Sequence, residues 1–376
     1  MSVGMTCPKC GLMQLAAPTC KACGAATGRQ ALGHLLPPIE PLRPAAGVKE
    51  EPETAAPPPD AGGGAVRQEF FFYGAGGSLF GIFLVNTLLT LLTLGVYHFW
   101  AKVRIRRYLM SQAEFEGDRF AYHGTGAELF FGFLKAALVF WLPVFVLNIG
   151  MTLMLRTRGR AIAGFLTWAL AMIFLPVAIA GARRYRLSRT SWRGIRFAFK
   201  GGTLAFARLF LTGSLLTALT LGIYYPAFLV SRYGFLTAHS YFGTLKAGFD
   251  GRGRDLLGSF LLALVLTPFT LGLIWIWFAA KKHRYLWGRT TLGKARFEYD
   301  VTFGRLFGLY FVNGLLLICT LGLAWPWVAV RNARFALQYL SLQGGVDLGA
   351  IQQDVQAASA TGDALSGFLD AGFDLG

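Results

Sequence analysis

Four cysteines near the N-terminus carry the clearest chemical signal in this sequence. Cys7 and Cys10 form one Cys-x-x-Cys pair, Cys20 and Cys23 form a second, and a glycine follows each pair. Four thiolates in this arrangement suit tetrahedral zinc, and the glycine frees the backbone to turn beneath the metal. We therefore predict a zinc ribbon over residues 1–28, in which the zinc is structural because protein ligands fill all four positions.

Two disulfides or a redox pair are the alternatives for these cysteines. No signal peptide precedes them, which argues against an oxidising compartment, and no alternation of strands and helices supports a redox Cys-x-x-Cys. Zinc is therefore the favoured ligand, and a cytoplasmic protein is the expected partner of the ribbon.

The rest of the chain offers few groups for catalysis. Its apolar runs contain no Asp or Glu, its histidines stand singly, and it has no phosphate-binding loop or nucleophile elbow. We therefore expect that the protein is not an enzyme. Asn86 and Asn313, each seven residues before a threonine, are the polar residues of interest within the runs. They predict either hydrogen bonds between packed helices or two equivalent groups that face each other across a pathway.

Composition places most of the chain in a membrane. Of its 376 residues, 54% are hydrophobic and 15% are charged, whereas an ordinary soluble domain is about a quarter charged. Six apolar runs are each long enough to cross about 30 Å of hydrocarbon. They cover roughly residues 79–100, 129–155, 161–182, 204–230, 256–280 and 306–330. We expect a mostly α polytopic membrane protein with about six transmembrane helices, some of which could be re-entrant.

The net charge of +17 does not indicate a nucleic-acid partner, because the basic residues cluster just beyond the apolar runs. That position suits contact with lipid headgroups and control of membrane topology. The bases that we assign to headgroups are Lys102, Arg107, Arg184 and Arg284. The lipid bilayer is thus the predicted partner of this part of the chain.

A repeated motif organises the apolar runs. Thr-Leu-Gly ends at Gly95, Gly222, Gly272 and Gly322, with a degenerate copy around Met172. The last three glycines are 50 residues apart, and alternating aromatic residues follow at 25 and 27 residues past the glycine. This pattern predicts five repeats of about 50 residues, each with an apolar helix and a short strand. The second copy is longer by 27 residues, which predicts one extra helix there.

Within the motif, threonine can bond back to the preceding turn and glycine permits a bend. Pro226 and Pro326, four residues after the glycine, predict a kink in each helix. We further predict that strands of neighbouring repeats pair into a sheet on the side where the arginines emerge. The strand around Phe249 distinguishes two topologies, because it joins that sheet only if the Thr-Leu-Gly segments are re-entrant.

The motif Thr-Leu-Gly-(Ile/Val)-Tyr-x-x-Trp with a trailing Arg-Tyr, preceded by Phe-x-(Phe/Tyr)-x-Gly and Leu-Phe, resembles the YjgN family of bacterial inner-membrane proteins (domain of unknown function 898). The resemblance covers roughly residues 67–342. This chain departs from the pattern at Met172, which replaces the glycine, and at Ala227, which replaces the tryptophan. The resemblance implies a multi-pass protein of the bacterial inner membrane, without an established activity and without catalytic residues to assign.

Composition also predicts the domain boundaries. Residues 1–28 form the ribbon, 29–66 a flexible linker rich in Pro, Ala and Gly, 67–342 the repeat-built membrane domain and 343–376 an acidic tail. A tethered ribbon favours a membrane-embedded scaffold or sensor. The alternative is a transporter or channel, which the insertion in the second copy favours if it reverses the later repeats. Six crossings would place the N-terminus outside by the positive-inside rule, whereas the ribbon favours the cytoplasm.

Overall fold

The computed structural model describes residues 4–6, 13–15, 67–345 and 351, without the side chains of residues 4–6, 13–15, 154–158 and 160. The chain divides into two units, residues 1–63 and 64–376, and each is described by itself. In the first unit, strands β1 (Gly4–Thr6) and β2 (Met13–Leu15) pair antiparallel. The four predicted zinc ligands lie outside the described residues, so the ribbon stays a prediction. These ligands are Cys7, Cys10, Cys20 and Cys23.

The second unit is mostly helical, with short strands between the helices. Its helices are α1 (Gly76–Leu92), α2 (His98–Gln112), α3 (Gly126–Ser188), α4 (Thr203–Leu219), α5 (Tyr225–Ala238), α6 (Arg254–Leu266), α7 (Ile274–Gly288), α8 (Phe303–Cys319) and α9 (Trp325–Gln338). Its strands are β3 (Arg67–Phe72), β4 (Ala113–Phe115), β5 (Asp118–Tyr122), β6 (Thr190–Trp192), β7 (Ile195–Phe199), β8 (Ser240–Phe242), β9 (Leu245–Phe249), β10 (Thr290–Leu292), β11 (Ala295–Tyr299) and β12 (Leu340–Gln343).

The ten strands between residues 67 and 343 form one closed barrel. Each strand pairs antiparallel with the next along the chain, and β12 returns to pair with β3. Strand β9, which carries Phe249, pairs with β8 and β10 inside this barrel. The prediction that the repeat strands cluster is confirmed, and the strand around Phe249 joins the cluster. Closure into a barrel was not predicted.

Two-residue turns join the strands within each β-hairpin. In Glu116-Gly117 the φ angles are +48° and +80°, and in Arg193-Gly194 they are +50° and +76°. Turns with positive φ at both residues follow the right-handed twist of an antiparallel pair, which is why glycine is favoured in them. The short strand before each turn was not predicted from the sequence. The glycine-containing dipeptide between two strand-forming segments was the signal that could have found it.

Side chains fill the barrel interior. Phe115, Trp192, Phe242 and Leu342 are each at most 5% exposed and pack together there. The first aromatic of each predicted pair packs against the same core: Phe70, Phe120, Phe197 and Phe297. The second aromatic packs instead beneath the helices: Tyr122, Phe199 and Tyr299. The period-2 aromatics therefore join two cores, one inside the barrel and one where the barrel meets the helices.

Four pairs of helices form hairpins whose two ends return to the barrel. Helix α1 follows β3 and α2 leads into β4, and these two strands are paired. The same relation holds for α4 and α5, α6 and α7, and α8 and α9. Because paired antiparallel strands meet the hairpin at one end of the barrel, all of these hairpins lie on the same side of it. Four of the six apolar runs are therefore two helices joined by a turn, and not single continuous helices.

The prediction of kinks at Pro226 and Pro326 was wrong. Each proline lies in the first turn of a new helix, α5 or α9. The missing N–H of proline costs nothing there, because the first N–H groups of a helix have no partner within it.

The second repeat builds a longer hairpin from one helical element. Helix α3 extends over 63 residues, yet its ends meet, because His123 N donates to Arg189 O at 2.7 Å and β5 pairs with β6. Across the hairpin, Asn148 Nδ2 donates to Thr167 Oγ1 at 3.2 Å. The helix therefore bends back between residues 148 and 167. The insertion lengthens a hairpin and does not add a separate helix, so it does not reverse the later repeats.

Candidate functional site

The Thr-Leu-Gly motif forms the tip of each short hairpin. Thr220 Oγ1 donates to Leu216 O at 2.7 Å and accepts from Tyr224 N at 3.0 Å. Leu221 and Gly222 follow with φ of +50° and +93°. The threonine thus ends one helix and begins the next, and the glycine adopts a conformation that other residues rarely reach. The same hydrogen bonds and positive φ angles recur at Gly95, Gly272 and Gly322.

Each of these tips presents one almost fully exposed leucine. The four side chains are 93% to 95% exposed: Leu94, Leu221, Leu271 and Leu321. Charged residues are absent from the sequence around the tips, and none occurs between Gly76 and Tyr97. An exposed apolar tip without charge fits hydrocarbon and would be unfavourable in water.

Within the described part of the chain, two helical segments are long and apolar enough to cross a membrane, judged by length and composition. They are Gly126–Leu153 and Ala161–Ser188, the two halves of the α3 hairpin, with 28 residues each. At 1.5 Å per residue, each is about 42 Å long. The first helices of the short hairpins have at most 17 residues, or about 25 Å.

The two predicted asparagines do not donate to each other. Asn86 Nδ2 lies 3.4 Å from Ala101 O, and Asn313 Nδ2 donates to Asn332 Oδ1 at 2.7 Å. Each contact joins the two helices of one hairpin. Asn86 and Asn313 are both buried, which is the environment in which such a bond adds to helix packing.

One arginine ties each of four hairpins to the barrel; in three hairpins it lies twelve residues past the tip glycine, and in α3 it lies twelve residues past Met172. Its Nη2 donates to a backbone carbonyl in the loop that follows a strand. The pairs are Arg107 with Gly124 at 3.3 Å, Arg184 with Gly201 at 3.0 Å, Arg284 with Val301 at 2.7 Å and Arg334 with Gly74 at 2.9 Å. The last pair joins the final repeat to the first. Contact of Arg107, Arg184, Arg284 and Lys102 with lipid headgroups stays a prediction.

The third repeat has Gly234 where the other repeats have this arginine. A Cβ atom at Gly234 would lie 2.7 Å from the Phe249 ring. Because the ring of β9 occupies the space of the side chain, the third hairpin cannot carry the arginine without a rearrangement.

A second set of basic groups is half-buried between the second helices of the hairpins. Arg183 Nη2 donates to Ser240 Oγ at 3.4 Å. Burial, and secondarily Arg232, lower the pKa of Lys282. Burial, and secondarily Lys282, lower the pKa of His283 to about 4. The sequence analysis did not single out Arg232 or assign a role to this set.

Arg183, Arg232 and Lys282 form no ion pair with a carboxylate among the described residues. The carboxylates there that do form ion pairs bond other arginines near the barrel, as Glu128 does with Arg189 at 2.7 Å. The arrangement offers positive charge between helices and no acid–base pair for catalysis.

An open cavity of about 360 Å³ lies between α1 and α2. Its lining is Ile82, Arg104, Arg107, Tyr108 and Ser111. One wall is apolar and the other carries two guanidinium groups, so the cavity suits an anionic group attached to an apolar chain.

The fold, the exposed apolar helices and the basic residues just beyond the apolar segments together define an integral membrane protein. The family model described as bacterial protein of unknown function (DUF898) matches residues 67–271 and 257–368. These segments cover most of the chain, so the chain belongs to this family.

Curated relatives carry the name inner membrane protein YjgN. The protein of Salmonella typhimurium (strain LT2) is 36% identical over 127 residues, which are 34% of this chain and 30% of that protein. The proteins of Escherichia coli O157:H7 and Escherichia coli (strain K12) are 35% and 33% identical over 126 residues, 34% of this chain and 29% of theirs. The chain thus aligns with less than a third of each relative.

No solved structure matches the chain. The relatives and the apolar helices establish a multi-pass protein of the bacterial inner membrane, as the sequence resemblance implied. The lipid bilayer is accordingly its environment.

Proposed function

We propose that the protein is a scaffold of the inner membrane, with the barrel in the cytoplasm and the four short hairpins inserted into one leaflet. The supporting observation is that both ends of each short hairpin return to the barrel while its tip is apolar and exposed. Arg104, the first exposed cation of α2, lies nine residues past the tip glycine Gly95. At the rise of a helix this is about 13 Å, close to half of the hydrocarbon thickness. Only the α3 hairpin then crosses the bilayer.

The distribution of arginines supports this orientation. In the sequence, the bend of α3 carries Arg156, Arg158 and Arg160, whereas most other bases lie on the barrel side. The positive-inside rule then places the barrel in the cytoplasm. The conflict between a cytoplasmic ribbon and six crossings disappears, because four of the apolar runs turn back.

The proposal retains the structural zinc ribbon. Strand β1 ends at Thr6, directly before Cys7, and β2 begins at Met13, so the first Cys-x-x-Cys pair lies between two paired strands in the sequence. Among the described residues, no three His, Cys, Asp or Glu side chains could hold a metal ion together. The full chain purified under reducing conditions should contain about one zinc, and Cys7→Ser should remove most of it. A metal-free wild-type chain would contradict the ribbon.

The ribbon supplies the recruiting function of the scaffold, and no enzymatic activity is part of the proposal. A cytoplasmic protein should co-purify with the full chain, and should be lost both with Cys7→Ser and on removal of residues 1–66. Membrane insertion should be unchanged in both variants, because the membrane domain begins after the linker. Equal recovery of all co-purifying proteins with the three chains would refute recruitment by the ribbon.

A transporter of anions is the second candidate. The observation that favours it is a set of half-buried cations that form no ion pair among the described residues: Arg183, Arg232 and Lys282. The filled barrel interior favours the scaffold, because Phe115 and Trp192 occupy the route along the barrel axis. Proteoliposomes with the purified chain should show the same chloride and phosphate flux as protein-free vesicles. Flux that is abolished by Arg232→Gln with Lys282→Gln, and not by Lys246→Gln with Lys294→Gln, would establish the transporter instead.

Cys319 provides a test of hairpin depth, because it is exposed next to the fourth short tip. With the four N-terminal cysteines replaced by serine, a charged maleimide should label Cys319 from neither side of the membrane, since the thiolate does not form in hydrocarbon. A cysteine at Lys294 should be labelled only from the cytoplasm, and one at Leu153 only from the periplasm. Labelling of Cys319 from the periplasm would show that the short hairpins cross.

A further inference from the structure

We infer that three pairs of basic residues around the helices bind the phosphodiester groups of anionic phospholipids. Each pair lies nine and twelve residues past a tip glycine, three residues apart on one helix, so both side chains share one face. The pairs are Arg104 with Arg107, Lys281 with Arg284 and Arg331 with Arg334, and all six residues are exposed. This inference rests on the proposed insertion of the short hairpins into one leaflet.

The two members of a pair have different surroundings. The second member is held by its hydrogen bond to a backbone carbonyl, as in Arg107 Nη2 to Gly124 O. The first member has no hydrogen bond or ion pair among the described residues. Two of the three first members contact aromatic rings: the Arg104 guanidinium lies 5.8 Å from the Tyr97 ring centre, and Lys281 Nζ lies 5.2 Å from that of Trp277. One charge is therefore fixed in place while the other has donors left for a ligand.

The cavity between α1 and α2 shows the shape of such a site. Arg104 and Arg107 lie on one side of its volume of about 360 Å³, and Ile82 of α1 lies on the other. Tyr108 Oη is already bonded to Ala75 O at 2.9 Å, and Ser111 Oγ to Tyr108 O at 2.9 Å. The guanidinium donors are thus the polar groups left for a ligand. A phosphodiester can accept from both guanidinium groups while its acyl chains lie along the apolar helix.

The neighbouring surface favours a lipid over a soluble phosphate. Toward the tip from this cavity, on the side of α1 that carries Ile82, Val85 and Leu92 are 49% and 71% exposed. A ligand with an apolar chain would cover these side chains, whereas inorganic phosphate would leave them uncovered.

The second and third repeats lack the pair and define where lipid should not bind. The second has Gly181 before Arg184, and the third has Ser231 before Gly234. At Gly234 the Phe249 ring excludes an arginine side chain. Three of the five repeats therefore carry the site.

Native mass spectrometry of the purified full chain in detergent tests the inference. Phosphatidylglycerol should remain bound to the wild-type chain at collision energies that remove phosphatidylethanolamine. Arg104→Gln with Lys281→Gln should reduce the bound phosphatidylglycerol by about fivefold per site, the effect of one cation near a lipid headgroup. The second arginine of each pair is kept, because its hydrogen bond holds the fold.

Lys246→Gln with Lys294→Gln is the matched control, since it also removes two exposed cations, but from the barrel strands and turns. Equal loss of phosphatidylglycerol in the control would overturn the inference. Unchanged binding in the Arg104→Gln, Lys281→Gln variant would also overturn it, as would retention of phosphatidylethanolamine at the same collision energies as phosphatidylglycerol. Displacement of the lipid by millimolar inorganic phosphate would assign the site to soluble phosphate instead. Because this assay does not depend on insertion depth, a failure here is separable from a failure of the Cys319 labelling test.

Discussion

The α3 hairpin and the four short hairpins begin and end at equivalent places on one barrel, but their far ends differ. Each half of α3 has 28 residues, and the sequence at its bend is rich in arginine. Each short hairpin ends in Thr-Leu-Gly with an exposed leucine such as Leu221. In the arrangement proposed above, one repeat unit yields either a crossing or a non-crossing hairpin. Helix length and tip chemistry decide which, because a charged end is tolerated in water and an apolar end in hydrocarbon.

The largest difference should appear when a charge is placed at each far end. Leu321, 94% exposed at a short tip, should tolerate Asp poorly, at a cost of about 3 kcal/mol, since the carboxylate would lie near the bilayer centre. Leu153, 78% exposed near the bend of α3, should accept Asp with little loss, because it lies beyond the hydrocarbon. Unfolding free energies of both variants in bicelles measure this difference. Equal costs would mean that the two kinds of hairpin reach the same depth.

Acid should lower the stability of the short hairpins through protonation of His283. The α3 hairpin has no equivalent group, because its sequence contains no histidine. Burial and Lys282 hold the pKa of His283 at about 4, so the folded protein keeps the ring neutral while the unfolded chain protonates near pH 6.5. The stabilisation is therefore present above pH 6.5 and is lost as the pH falls toward 4, by about 3 kcal/mol. Thermal unfolding between pH 4 and 7 should show this loss in the wild type and a flatter profile in His283→Gln. Parallel profiles would remove His283 as the cause.

Glycine-to-alanine substitutions should have opposite signs in the two kinds of hairpin. No atom lies within 4 Å of a Cβ built at Gly222 or at Gly150, so direct steric contact is the same. Gly222 has φ of +93°, and alanine there should cost about 1 kcal/mol or more. Gly150 lies inside α3, and alanine should stabilise it by about 0.5–1 kcal/mol. Denaturation midpoints that move in the same direction would contradict the tip geometry.

Threonine-to-valine substitutions should give the smallest difference. Thr220 Oγ1 both donates to Leu216 O and accepts from Tyr224 N, so valine would leave an N–H at the tip without a partner, at a cost of about 1 kcal/mol. Thr152 Oγ1 only donates to Asn148 O. That carbonyl remains an acceptor in the helix when the hydroxyl is removed. Thr152→Val should be close to neutral in the same unfolding assay. A larger effect at Thr152 than at Thr220 would show that the tip hydrogen bonds contribute little.

Features encoded in short stretches could be predicted from the sequence. Apolar length and low charge indicated a membrane protein, and the family match confirms the expected family. The period-2 aromatics predicted strands that pair, and Phe120 and Phe297 do lie in one barrel. The hydrogen bonds of Thr93 to the preceding turn also followed from its position, because that contact is local.

Contacts between distant segments could not be predicted in this way. The asparagine contacts inside single hairpins and the half-buried cations Arg183, Arg232 and Lys282 depend on which helices become neighbours. The lipid-binding role proposed for Arg104 also needed the structure, since only the contacts distinguish it from Arg107, which bonds the backbone. Both are arginines just past an apolar run, and in the sequence they look alike.

The sequence by itself determined that the chain repeats, where its helices break and that it belongs in a membrane, because length, periodicity and turn chemistry are local properties. Only the tertiary structure decided whether the chain runs on in the same direction at each break or turns back. A helix that ends at Thr-Leu-Gly is compatible with either path, and the choice depends on the strands that follow. Pairing of β12 with β3, more than 260 residues apart, closes the barrel and brings both ends of every hairpin to one side. Closure satisfies the backbone of every strand edge, and no local pattern encodes that gain.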